Sequence, residues 1–189
     1  MNRQDLVQIC DCSLSQSGIQ DRLTFREKIE LCRIVDKLGV TYIDLCPIKQ
    51  KKIDRLLIKS ICSAVKNAKI AVPVDIQDPD SVRITWEALE ETSSPRLQVD
   101  APVSSVQMEY LFHLKADAMV HAVSEKIRDC KNRTDDVEFI ARDATRSDPA
   151  FLVRILSAAI EAGASAVTLC DTAGVMLPEE ITSWLEKLK

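Results

Sequence analysis

The stretch from Val137 to Leu188 alternates, twice over, a short apolar run, a polar turn and a helix-forming segment. Val137 to Ile140 is apolar and leads into Arg142-Asp143. Ser147-Asp148-Pro149 then offers a capping residue followed by proline at the first helical position, an arrangement that opens helices. Phe151, Leu152, Ile155, Leu156, Ala159 and Ile160 recur at helical spacing, and Gly163 stops the run, as glycine does in a left-handed C-terminal position. Ala166 to Leu169 is a second apolar strand, Asp171-Thr172-Ala173-Gly174 is the turn after it, and Pro178 opens another helix. Polar residues therefore gather just after each strand. In parallel α/β proteins, ligands bind at that end of the sheet.

The same alternation runs through the rest of the chain. Strands are expected at Leu6 to Asp11, Tyr42 to Cys46, Ile70 to Val74 and Leu97 to Ala101. Thr24-Phe25-Arg26-Glu27 caps a helix that ends at Gly39, and Ile53 to Val65 gives the next. Asp78-Pro79-Asp80 starts a third, through Trp86 and Leu89. Val106 to Cys130 reads as a long helical segment broken near Lys115. The repeat is one βα unit per roughly 30 residues. The expected fold class is therefore α/β, a TIM-barrel-type (β/α) repeat with about six of the eight units of a closed barrel, an incomplete barrel. Residues 1–189 are read as a single partial barrel domain. An open run of parallel strands leaves unpaired edges. The expectation is that the natural protein continues beyond Lys189, the alternative being a homo-oligomer that covers the edges.

With 25 basic and 29 acidic residues, the chain carries no electrostatic footprint for nucleic acid or an anionic membrane. No apolar run approaches the roughly 20 residues of a membrane span, and MNRQDLVQIC lacks a signal-peptide pattern. Seven cysteines, an odd number without paired zinc spacing, point to a reducing, cytoplasmic setting. Cys10 and Cys12 share one strand face by alternation, and Cys46 and Cys170 end strands. A thiolate or soft-metal site is conceivable there, but cysteine is also a small, commonly buried core residue, and the core reading is the expectation. His113 and His121 match no metal-binding helix spacing and are expected to be solvated or packed.

FIARDATRSDP, followed by EAGA and LCDTAG, resembles the acyl-CoA-using branch of the metal-dependent lyase and synthase barrels. That branch includes 2-isopropylmalate, homocitrate and citramalate synthases of amino-acid biosynthesis, whose segments usually read F-S-x-E-D-A-x-R-S-D and P-D-T-x-G. The resemblance implies a Claisen-type condensation, in which the methyl of acetyl-CoA attacks the ketone of a 2-oxo acid held on a divalent metal (Mg, Mn or Zn). It also implies a D-T-T-L-R-D-G motif after the first strand, where this chain has Asp11-Cys12-Ser13-Leu14-Ser15-Gln16-Ser17. Ser15 stands at the arginine position and Gln16 at the metal-ligating aspartate. Arg142 replaces the family glutamate, and Asp143 is retained. Thr172 matches the threonine that bonds the oxo-acid carboxylate. The family's H-x-H pair follows a seventh strand, past the end of this sequence.

These departures set the expectations for the site. The catalytic positions, Ser15 and Arg142, are substituted; Thr172, Asp143 and Ser13 are the candidate substrate-binding residues; Gln16 is the metal position. At 4 Å and an effective dielectric of 20, unit charges interact by about 4 kcal/mol, and a divalent ion doubles that. Two lost carboxylates and one added cation therefore argue against the metal, and no cofactor is expected to bind well. Arg142 with the hydroxyls of Ser13, Ser15 and Thr172 could instead receive an anion, unless Arg142 pairs with Asp143 or Glu138. Arg146 and Asp148 are expected to brace the turn into the next helix. The functional expectation is a catalytic-type condensing domain, inactive or impaired as this chain. The alternative is a non-catalytic barrel relative that binds a carboxylate metabolite or a partner chain.

Overall fold

A computed structural model describes residues 7–93 and 95–188. The chain divides into two compact units, Met1–Val74 with Asp80–Leu97, and Asp75–Pro79 with Gln98–Lys189.

The first unit runs β1 (Cys10–Asp11), α1 (Ser17–Gln20), α2 (Phe25–Lys37), β2 (Tyr42–Asp44), α3 (Lys51–Ala64), β3 (Lys69–Val74) and α4 (Ser81–Leu89). Its strands pair in parallel and in chain order, with Cys10 opposite Tyr42 and Tyr42 opposite Lys69. The expected first strand began at Leu6, which lies outside the described residues, and β1 itself is two residues long. Thr24 starts α2 through a reciprocal box: its hydroxyl accepts the Glu27 N–H, and the Glu27 carboxylate accepts the Thr24 N–H at 2.7 Å. Ile43, Ile61, Ile70, Val72 and Leu89 are buried in this unit's core.

Asp36, near the end of α2, is buried although charged. It accepts the backbone N–H groups of Lys66, Asn67 and Ala68 at 3.0, 2.9 and 2.7 Å. The turn from α3 into β3 is thereby fastened to α2. Three backbone donors on one carboxylate, joined by Asn67 Nδ2 at 3.2 Å, satisfy groups that burial would otherwise leave costly.

The boundary between the units falls inside β4 (Arg96–Pro102). Then follow α5 (Ser105–Gln107), a π-helical turn (Met108–Phe112), α6 (Ala116–Lys131), β5 (Val137–Arg142), a 3-10 turn (Ala144–Arg146), α7 (Pro149–Ala162), β6 (Ala166–Leu169) and α8 (Pro178–Glu186). The long helical segment breaks where expected, at a left-handed His113 with φ of 55°. Asp148 caps α7 by accepting the Phe151 N–H, Pro149 takes the first helical position and Gly163 ends the helix with φ of 112°.

Strand order here is β4-β5-β6, with β5 and β6 parallel. Alternation divides β5 cleanly. Val137, Phe139 and Ala141 are buried among apolar groups. Glu138 and Arg142 point to the other face, which is polar: Glu138 accepts from Gln98 Nε2 at 2.9 Å and from Thr168 Oγ1 at 2.5 Å. Parallel strands alternating with helices give the α/β, barrel-type (β/α) repeat that the sequence predicts, with six strands among the described residues.

Candidate functional site

In the second unit the strand ends carry three groups of polar contacts. Arg142, last residue of β5, donates from Nε to both oxygens of Asp100 on β4, at 2.7 and 2.8 Å, and from Nη2 at 2.6 Å. The partner is thus Asp100, and neither Asp143 nor Glu138 takes that role. Asp100 raises the affinity of the guanidinium for its proton, and the formal charges of the two partners cancel. The positive pocket expected from Arg142 has its cation neutralised within 3 Å.

Asp143 follows with φ of 60° and is fully buried. Arg146 reaches both of its oxygens at 2.7 Å, and Ser104 Oγ donates to Oδ2 at 2.5 Å. Arg146 first, and Ser104 after it, hold the Asp143 carboxyl below the usual carboxylate range despite burial. Thr172 Oγ1 accepts the Asp143 N–H at 2.9 Å, which brings these two candidate substrate-binding residues together. Thr145 donates to Asp171 at 2.6 Å, and the Met176 N–H caps the other Asp171 oxygen at 3.0 Å. Arg146 and Asp148 brace this turn, as expected.

The first unit presents its own strand-end loop. Ser13 directs both its N–H and its hydroxyl to Asp11, at 3.2 and 3.0 Å. Ser15 Oγ donates to the Cys12 carbonyl at 3.0 Å. Gln16 is exposed, and its backbone carbonyl accepts the Ile19 N–H. Cys46 points its thiol at the carbonyls of Leu14 and Ser15, while Cys32, Cys62 and Cys130 are buried, with thiols pushed up to about 12 by burial. Cys10 and Cys12 depart from the core reading: both are exposed, side by side, and Asp44 of β2 joins them. Burial of the sulfur and the Asp44 carboxylate raise the Cys10 thiol well above its ordinary value. His113 and His121 are exposed, as expected, the latter beside Glu125.

A family model described as HMGL-like matches residues 7–189. The chain belongs to the HMGL-like family. It is 36% identical over 164 residues to the 2-isopropylmalate synthase of Shouchella clausii (strain KSM-K16), covering 87% of this chain and 32% of that protein. With the 2-isopropylmalate synthase of Caulobacter sp. (strain K31) it shares 35% over 190 residues, 97% of this chain and 36% of that one. It therefore spans about a third of the length of these relatives. Among solved structures, hydroxymethylglutaryl-CoA lyase from Pseudomonas aeruginosa superposes with a TM-score of 0.75 at 12% identity, over 96% of this chain and 62% of that one, a likeness of fold.

Within this HMGL-like frame, the residues at the implied metal position do not fit a hard divalent cation. Such ions take carboxylate and other strong oxygen donors. Gln16 offers an exposed amide, and the nearby Ser13 and Ser15 hydroxyls are turned to Asp11 and to the Cys12 carbonyl. Two residues of consequence escaped the sequence reading. Asp100, the one charged residue of the expected strand Leu97 to Ala101, was the available signal that a cation lay opposite. Asp44, at the end of β2, gave a weaker one.

Proposed function

We propose that this chain is a relative of the catalytic domain of 2-isopropylmalate synthase that does not carry out acetyl-CoA condensation with the residues it presents. The condensation develops negative charge on the thioester oxygen as the acetyl methyl loses its proton, and it needs a fixed cation or donor there. At the positions in question stand a serine turned to backbone and a neutral glutamine. The observation that carries the reading is the Arg142–Asp100 pair: the one cation the substitutions add is held by a neighbouring strand. A reducing, cytoplasmic setting goes with this reading, since the seven cysteines are an odd number without paired zinc spacing.

The test is direct. Incubate the protein with acetyl-CoA, a panel of 2-oxo acids including 2-oxoisovalerate and pyruvate, and Mg²⁺ or Mn²⁺, and follow free CoA thiol. The expected result is no release above the blank. Sustained release that depends on both the oxo acid and the metal would overturn the proposal.

A further inference from the structure

We propose that Cys10, Cys12 and Asp44 form a binding site for a soft divalent cation, with Zn²⁺ the natural occupant by chemistry. This site shares no ligand with the glutamine position discussed above and does not rest on the functional reading. The argument starts with the backbone. Cys10 and Cys12 are two apart at the end of β1, so alternation points both sulfurs to one face. β2 runs parallel beside them with Cys10 opposite Tyr42 and Asp11 opposite Ile43. The next step of that register brings Asp44 beside Cys12, and the Cys12 sulfur lies 3.7 Å from Asp44 Oδ2.

The spacing fits a tetrahedral ion. Zn–S bonds of about 2.3 Å and Zn–O bonds of about 2.0 Å, at tetrahedral angles, put two sulfurs about 3.8 Å apart and sulfur and oxygen about 3.5 Å apart. The three ligand atoms here all lie within 4.8 Å of one another. Closing them on an ion takes up about 1 Å, within the reach of side-chain rotation on a fixed sheet. Two sulfurs select Zn²⁺, Cd²⁺ or Co²⁺ over Mg²⁺ and Ca²⁺, which prefer oxygen. Both cysteines are exposed, so the ion has an entry path and a fourth position open to water. Occupancy would tie the two-residue β1 to β2 by bonds that the short ladder cannot supply.

Cobalt reports the site optically. The full chain, reduced with a phosphine and kept anaerobic, is titrated with Co²⁺. One ion per chain is expected, with a sulfur-to-cobalt charge-transfer band and the strong visible bands of tetrahedral cobalt, all bleached by Zn²⁺ and untouched by excess Mg²⁺. Loss of a ligand costs at least the roughly tenfold that loss of an outer-shell partner does. Cys10→Ser and Cys12→Ser should therefore weaken binding by about tenfold or more and diminish the charge-transfer band. Asp44→Asn should keep that band and weaken affinity, and Cys46→Ser should bind as the wild type does. A second measurement needs no variant: Zn²⁺ should protect Cys10 and Cys12 from alkylation, read by mass spectrometry, and leave Cys46 unprotected. No charge-transfer band at saturating cobalt, an undiminished band in the Cys10→Ser/Cys12→Ser double variant, or no protection from alkylation would each overturn the proposal.

Discussion

Arg142 meets Asp100 edge-on, with Nε between the two carboxylate oxygens at 2.7 and 2.8 Å and Nη2 at 2.6 Å from one of them. This geometry gives the fork two anchors and binds β4 to β5 through side chains. Asp100 is the more buried partner and Arg142 is half-exposed, so the pair lies between the surface and interior cases.

Restoring the family's acid at this position is therefore expected to harm the fold. Arg142→Glu sets a second carboxylate against Asp100 and should destabilise by about 1–3 kcal/mol, discounted from the buried-pair range for the solvent that reaches Arg142. Adding Asp100→Asn should recover most of that loss. Urea unfolding of the two variants measures it, and an Arg142→Glu protein as stable as wild type would refute the assignment.

Asp143 should respond differently to its two simplest replacements. Asp143→Ala leaves Arg146 and Ser104 without their acceptor and forces alanine into a left-handed backbone, costing about 3 kcal/mol or more. Asp143→Asn keeps one acceptor oxygen and a side chain that tolerates φ of 60°, and should cost visibly less. Thermal melts of both variants rank them.

Acid should unfold the chain through its buried carboxylates. Arg146 holds Asp143 below the ordinary range. Burial pushes Asp36 upward, and the amides of Ala68, Lys66 and Asn67 outweigh it, leaving it lowered as well. A depressed folded value means the stabilisation is complete above the unfolded value of about 3.9 and disappears as pH falls through the lower folded values. The melting temperature should be flat above about pH 5 and drop steeply below about pH 4. An Asp36→Asn/Asp143→Asn variant should start lower and fall less; a parallel fall would contradict the linkage.

Two glycines separate strain from space. Gly39 has φ of 80° with nothing within 4 Å of a added Cβ, whereas at Gly163, φ of 112°, a Cβ would lie 3.1 Å from Lys131 Cγ. Gly39→Ala should cost about 1 kcal/mol, from backbone conformation alone. Gly163→Ala should cost more, by what it takes Lys131 to move aside. Equal losses in denaturant titrations would show that the lysine stem gives way freely.

Hard cations should leave the chain untouched. Calorimetry with Mg²⁺ is expected to give no isotherm, since Gln16 supplies no charge to hold it. A single site of micromolar affinity would contradict this.

Much of the fold was legible because its signals are local. Pro149 after Asp148, Gly163 at the end of α7 and the Thr24–Glu27 box each act within one turn of helix, and each works as read. Apolar runs located the strands to within a few residues, although β5 extends to Arg142 and so carries that side chain on the sheet face rather than in the turn. What escaped was pairing across strands. Arg142 and Asp100 are 42 residues apart, and choosing Asp100 over the adjacent Asp143 requires the register of β4 on β5. Cys10 and Cys12 could be placed on one face by alternation, but Asp44 joins them only through the register of β1 on β2. The Asp36 clasp was invisible for a further reason: three of its four partners are backbone groups, which every sequence has.

That clasp has a consequence for how the chain tolerates change. Asp36 reads the peptide units of Lys66, Asn67 and Ala68 and, of their side chains, only the Asn67 amide, whose Nδ2 donates to Oδ2 at 3.2 Å. A library randomised at 66 and 67 should therefore return nearly every amino acid at 66, a bias toward asparagine at 67, and proline at neither, since proline has no N–H to give. The same library at 36 should return little but aspartate. The fold thus concentrates the information for an entire connection in a single side chain located on a different helix.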